Sequence, residues 1–257
     1  MFPVIFHIYG FEIPTYPVLL LFGVMISVFL FSKRVFEKEL SLDFMSDHLL
    51  YFVFFVFLGA RTGGVLFHYQ VYREDWFEWI NIFNGDYNFY FGVASFLLLF
   101  IFFAKRKGED LWKWLDALSR IFILVFVFVA CAEFAAGENY GTDSTLPWAV
   151  THDSPDVRLT IPVHPVQLYE AILLLFVFIA MSWYEKKTTH EGDTFALSLF
   201  FYFFIGFILF VSDVRFVVSG SLFGYKYPLL FSLLFSVFFL VLFIWRTHTT
   251  PSILHEN

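Results

Sequence analysis

Seven long apolar runs, at about 14–32, 48–67, 88–104, 117–136, 166–184, 194–214 and 222–245, constrain this chain more than any other feature. Crossing about 30 Å of hydrocarbon takes roughly 20 apolar residues in a helix. Uniformly apolar runs of that length predict helices, because lipid offers backbone N–H and C=O groups no partner. A transmembrane barrel would show alternating segments of about ten residues, and no such pattern is visible. Composition agrees with this reading. The chain is 59% hydrophobic and 15% charged, against roughly 45–50% and about 25% in soluble domains. A water-soluble fold with so few polar side chains could not cover itself, and the same apolarity excludes disorder. The net charge of −7 leaves no basic footprint for nucleic acid. Cys131 is the only cysteine, so an intrachain disulfide, a cysteine-built zinc site and an iron–sulfur cluster are all excluded.

Lysine and arginine set the orientation, because they accumulate in cytoplasmic connections. One set of connections carries Lys33, Arg34, Lys38, Lys105, Arg106, Lys107, Lys113, Lys186, Lys187 and Arg246, whereas the alternating set carries Arg73, Arg158 and Lys226. The first run is expected to stay in the protein: Met1–Phe11 has no positive charge and no small-residue cleavage pattern follows Phe31. The expectation is therefore an all-α polytopic membrane protein with seven transmembrane helices, its N-terminus extracytoplasmic and its C-terminus cytoplasmic. Residues 1–257 are expected to form one transmembrane domain, with an ordered extracytoplasmic loop at about 137–166.

An ionisable group within a span costs roughly 2.5–3.5 kcal/mol on insertion scales, so each one calls for a reason. Arg61, Asp116, Arg120, Glu133, Glu138, Asp213 and Arg215 lie in or at the ends of the runs. Singly, each has a structural explanation as a buried ion pair or a side chain reaching for the interface. Asp116 and Arg120 read best as a local pair or interface anchor. Glu133 and Glu138 are about 500° apart around a helix, so they make a weak acid–base dyad. Together, however, Glu133, Glu138, Asn139, Tyr140, His164, Gln167, Tyr169, Glu170, Arg215 and Tyr90 fall at one extracytoplasmic level on four spans. That coincidence points to a lipid-headgroup site.

Leu146-Pro147-Trp148-Ala149 followed by His164-Pro165-Val166-Gln167-Leu168-Tyr169-Glu170-Ala171 resembles the paired LPWA and HPxQLYEA motifs of the prolipoprotein diacylglyceryl transferase family. Gly59-Ala60-Arg61-Thr62-Gly63 with Val65-Leu66-Phe67, Asp116, Tyr16 and the stretch Gly220–Ser232 resemble further family segments in register. Phe89-Tyr90-Phe91-Gly92 is similar to the family's FHGG or FYGG, which puts Tyr90 at the catalytic-type histidine. The chain departs from the signature GRxGNFxNxExxG. Glu138 and Gly141 are kept, while Ala130 stands for the arginine and Glu133 and Ala136 stand for asparagines. On the sixth span, Phe204, Ile208 and Ser212 replace the family's tyrosine, first arginine and glutamate, and Arg215 matches the final arginine.

The resemblance implies a bacterial plasma (inner) membrane enzyme that moves diacylglyceryl from phosphatidylglycerol or a related phospholipid to the lipobox cysteine of a prolipoprotein signal peptide. It implies no metal and no cofactor. Tyr90, Glu138 and His164 are the implied catalytic residues. Arg61, Arg215, Tyr16, Gly141, Gln167, Tyr169 and Glu170 are the implied phospholipid contacts. The altered positions Ala130 and Ile208 leave an alternative open, a catalytically silent paralogue that binds phospholipid or a lipoprotein precursor.

Overall fold

A computed structural model describes residues 4–8, 11–74, 76–81, 87–153, 158–212, 214, 221–222 and 225–249. It is mostly helical and divides into two compact units, Val35–Leu111 and, separately, Met1–Arg34 with Trp112–Asn257. The helices are α1 (Thr15–Glu37), α2 (Leu42–Phe67), a single turn α3 (Tyr69–Tyr72), α4 (Phe89–Lys107), α5 (Leu111–Ala136), α6 (Val166–Tyr184), α7 (Asp193–Val211) and α8 (Tyr227–Thr249). Three antiparallel hairpins join them: β1 (Val4–Ile8) with β2 (Phe11–Pro14), β3 (Val150–Asp153) with β4 (Arg158–Val163), and β5 (Ser221–Leu222) with β6 (Tyr225–Lys226).

Six helices among the described residues are long and apolar enough to cross a membrane: α1, α2, α5, α6, α7 and Leu229–Thr249 of α8. Helix α4, the remaining apolar run, ends in Lys105, Arg106 and Lys107. Several helices outrun the apolar runs that announced them. α1 continues to Glu37, α2 starts at Leu42, α5 starts at Leu111 and α8 reaches Thr249. Hydropathy marks where hydrocarbon ends, whereas the helix carries on through charged residues whose stems stay apolar while their heads seek water.

In the Val35–Leu111 unit, α2 and α4 pack along two glycines one turn apart. A Cβ built on Gly59 would meet Ser95 Oγ at 1.9 Å, and one on Gly63 would meet Phe91 Cβ at 2.6 Å. Small residues at this spacing let helix backbones approach where lipid provides no hydrophobic drive. The Gly59–Gly63 motif is thus explained by packing. Two helix starts are capped by side chains: Ser41 accepts from Phe44 N at 3.2 Å, and Asn88 Oδ1 accepts from Phe91 N at 3.2 Å.

In the other unit, Ile123, Val127 and Ala130 of α5, Leu174 and Met181 of α6, and Ile205 and Leu209 of α7 form one apolar core. At the end of these helices rich in basic residues, charges are matched between helices. Glu185, its side chain 3% exposed, pairs with Arg34 and, at 2.6 Å, with Arg120. Arg120 also donates to Ser182 Oγ at 2.9 Å. Asp116 caps the start of α7, its two oxygens accepting from Gly192 N and Phe195 N at 2.8 Å each. Arg246 donates to the Glu191 carbonyl at 3.1 Å and stacks 4.1 Å over Trp112. Asp116 and Arg120 are therefore tied to other helices, a longer reach than the local pair read from their spacing.

Two outcomes follow from this packing. Gly59→Val should destabilise the protein by about 1–3 kcal/mol through overpacking, read as a lower midpoint in detergent-micelle thermal unfolding. Glu185→Gln should cost about 3–5 kcal/mol, because it leaves two guanidinium groups facing a neutral amide; the same unfolding measurement checks it.

Candidate functional site

Helix α5 ends at Ala136 because Gly137 turns into the left-handed region at φ 79°. Glu138 N then bonds Glu133 O at 2.9 Å and Gly137 N bonds Phe134 O at 3.3 Å, a Schellman stop. Glu138 thus lies beyond the helix, exposed, and Asn139 (φ 52°) turns back so that its Nδ2 donates to Glu133 Oε1 at 2.7 Å. The chain next runs antiparallel to the segment that enters α6. Gly141 N bonds His164 O at 3.0 Å, His164 N bonds Thr142 O at 3.0 Å, and Ser144 N bonds Pro162 O at 2.8 Å. Thr142 N also bonds Val214 O at 2.9 Å, which brings in the chain leaving α7.

Gly141 sits where these strands meet. A Cβ there would stand 2.5 Å from Val214 O, 2.6 Å from Val166 Cγ2 and 2.7 Å from His164 Cβ. Gln167 is wholly buried at the start of α6 and donates through Nε2 to the Glu138 carbonyl. Its Oε1 has no hydrogen-bond partner among the described residues. Tyr169 stands at the centre of a side-chain chain. The Trp148 indole N–H donates to the Tyr169 hydroxyl at 2.7 Å, and that hydroxyl lies 3.4 Å from His164 Nδ1. Tyr16, in the first turn of α1, lies within electrostatic reach of Glu133 and Glu138. Glu170 follows on α6, half-buried.

Arg61, in the Val35–Leu111 unit, is buried on α2. It donates through Nε to Trp79 O at 3.2 Å, through Nη1 to Tyr72 OH at 3.3 Å and through Nη2 to Glu78 O. Its guanidinium also stacks 4.9 Å over the Tyr72 ring. It pins the connection after α2 to that helix. Tyr90 contributes backbone to the first turn of α4, and its side chain lies outside the described residues. Arg215 and Asp213 also lie outside them. Ala130 is buried in the apolar core, and Ile208 is 44% exposed on α7. So the structure brings Tyr16, Glu138, Gly141, His164, Gln167 and Tyr169 into one unit around the end of α5 and the start of α6. Sequence reasoning gave Trp148 no role, although its four-residue motif travels with the one holding Tyr169, and that pairing was the available signal.

A sequence profile of the prolipoprotein diacylglyceryl transferase family matches residues 3–245. The chain belongs to that family. It is similar to the phosphatidylglycerol–prolipoprotein diacylglyceryl transferase of Tropheryma whipplei (strain TW08/27), at 30% identity over 73% of this chain and 72% of that protein. Proteins of the same name from Finegoldia magna (26% identity, 82% and 83% covered) and Phenylobacterium zucineum (28%, 66% and 63%) are also similar. This family member is a diacylglyceryl transferase and a multi-pass membrane protein. Of the positions read above as altered, Ala130 lies inside the α5–α7 core and Ile208 is partly exposed on α7. The kept residues Glu138 and Gly141 lie in the hydrogen-bonded knot beside His164 and Gln167.

Gly141→Ala tests this knot. The added methyl has to displace the Val214 carbonyl or His164, so about 1–3 kcal/mol of stability is lost. Circular dichroism melting in micelles measures the loss.

Proposed function

We propose that the protein is a phosphatidylglycerol–prolipoprotein diacylglyceryl transferase of the bacterial plasma (inner) membrane, working at the extracytoplasmic face. It crosses the bilayer seven times, α4 included, with the N-terminus outside and the C-terminus in the cytoplasm, as the lysine and arginine distribution favours. One observation carries the reading: the two motifs that mark the family, around Trp148 and around His164–Tyr169, are joined by direct hydrogen bonds next to the kept Glu138 and Gly141.

In the proposed reaction the lipobox thiol gives up its proton and its sulfur attacks the glycerol carbon. A C–S bond forms and the C–O bond to phosphate breaks, with the electron pair leaving on the phosphate oxygen as glycerol phosphate departs. The thiolate is the nucleophile, so a group must take the thiol proton, and Tyr90 is proposed on that side. Negative charge grows on the departing phosphate, where fixed donors are most effective. His164 and Arg215 are proposed for that side. Arg61 is proposed to act through the connection it pins. Tyr16, Gly141, Gln167, Tyr169 and Glu170 are proposed to shape the headgroup site.

Purified full-length protein in micelles containing radiolabelled phosphatidylglycerol should transfer label to a lipobox peptide, and Tyr90→Phe should slow transfer by about 10²–10⁴-fold. A chain that binds labelled lipid but transfers none, from any phospholipid, would instead be the silent paralogue.

A further inference from the structure

We infer that Trp148 and Tyr169 are positioning residues that hold His164 in the tautomer with its proton on Nε2, making it a hydrogen-bond donor to the departing phosphate. The inference rests on the transfer reaction proposed above and deepens it.

An indole N–H can only donate, so at 2.7 Å the Tyr169 oxygen is the acceptor. With the indole on one lone pair of that oxygen, the hydroxyl hydrogen is free to go to His164 Nδ1, 3.4 Å away, and we assign Nδ1 as its acceptor. A neutral imidazole whose Nδ1 accepts carries its proton on Nε2, because the partner of one nitrogen decides the state of the other. Catalytic hydrogen bonds of this length tighten when substrate is bound. The main chain that carries the ring is fixed. His164 N donates to Thr142 at 3.0 Å, and His164 O accepts from Gly141 at 3.0 Å and Val166 at 2.9 Å. Gly141 fills the space where any side chain would strike His164 Cβ.

The tautomer decides the role. An imidazole with Nδ1 occupied and Nε2 protonated has no free lone pair for a thiol proton, so it is unsuited to be the base. It is suited to donate toward an oxygen gaining charge. Trp148 strengthens this arrangement from one bond away, since accepting the indole hydrogen makes the Tyr169 hydroxyl a better donor. The LPWA motif is thereby given a task in the chemistry, although its tryptophan is 56% exposed and buries little.

The test uses full-length protein in phosphatidylglycerol micelles, with histidine ring ¹⁵N labelling and a lipobox peptide as acceptor. The His164 signals, assigned by their loss in His164→Gln, should show Nε2 protonated and Nδ1 accepting in the wild type. Tyr169→Phe should give mixed tautomers and lower kcat by about 10–100-fold. Trp148→Phe, which keeps a ring but no N–H, should lie between the two. His164→Gln offers an amide N–H near the Nε2 position and should keep several-fold more activity than His164→Ala. A wild-type Nδ1–H tautomer, a Tyr169→Phe effect confined to KM, or equal activities for His164→Gln and His164→Ala would overturn the inference. Absence of any transfer by the wild type would overturn the proposed reaction, and the nitrogen signals would still decide the relay.

Discussion

A carboxylate removed from water must recover its lost solvation inside the protein, and Glu185 does so by pairing with two arginines. Arg34 belongs to α1, Arg120 to α5, and Glu185 closes α6. One buried group therefore ties three helices that are distant in sequence. Asp116 does related work for α7, lending its oxygens to backbone N–H groups that a helix start leaves unpaired. In a bilayer these contacts have a particular weight, since helix packing gains nothing from moving apolar side chains out of lipid. The charged ends hold these helices in register, and the apolar core between them makes them complementary in shape.

At the other end of α5 the same logic is carried by backbone. The Schellman stop at Gly137 releases the chain just where it has to turn and pair with the segment entering α6. Gly141, His164 and Thr142 then bond main chain to main chain, so the functional side chains are mounted on a framework that does not depend on their own identity. The two regions are separate in the packing as well: Ala130 belongs to the apolar core, and Glu138 and Gly141 belong to the turn.

Much of this was readable in advance. Helices in lipid advertise themselves by length and hydropathy, and the paired motifs flank the polar loop at about 137–166. The places where reading fell short share a cause: each depends on a partner far along the chain. Arg61 bonds the carbonyls of Glu78 and Trp79 and the Tyr72 hydroxyl, partners that no spacing within α2 announces. Asp116 and Arg120 looked like neighbours on one helix, while the groups they bond lie at 192, 195, 182 and 185. Helix ends slipped by several residues because hydropathy senses the solvent and the backbone does not.

The glycine seam between α2 and α4 has one more consequence. Two helices drawn that close, with Phe91 and Ser95 filling the contact, have no room at either glycine for so much as one added methyl group.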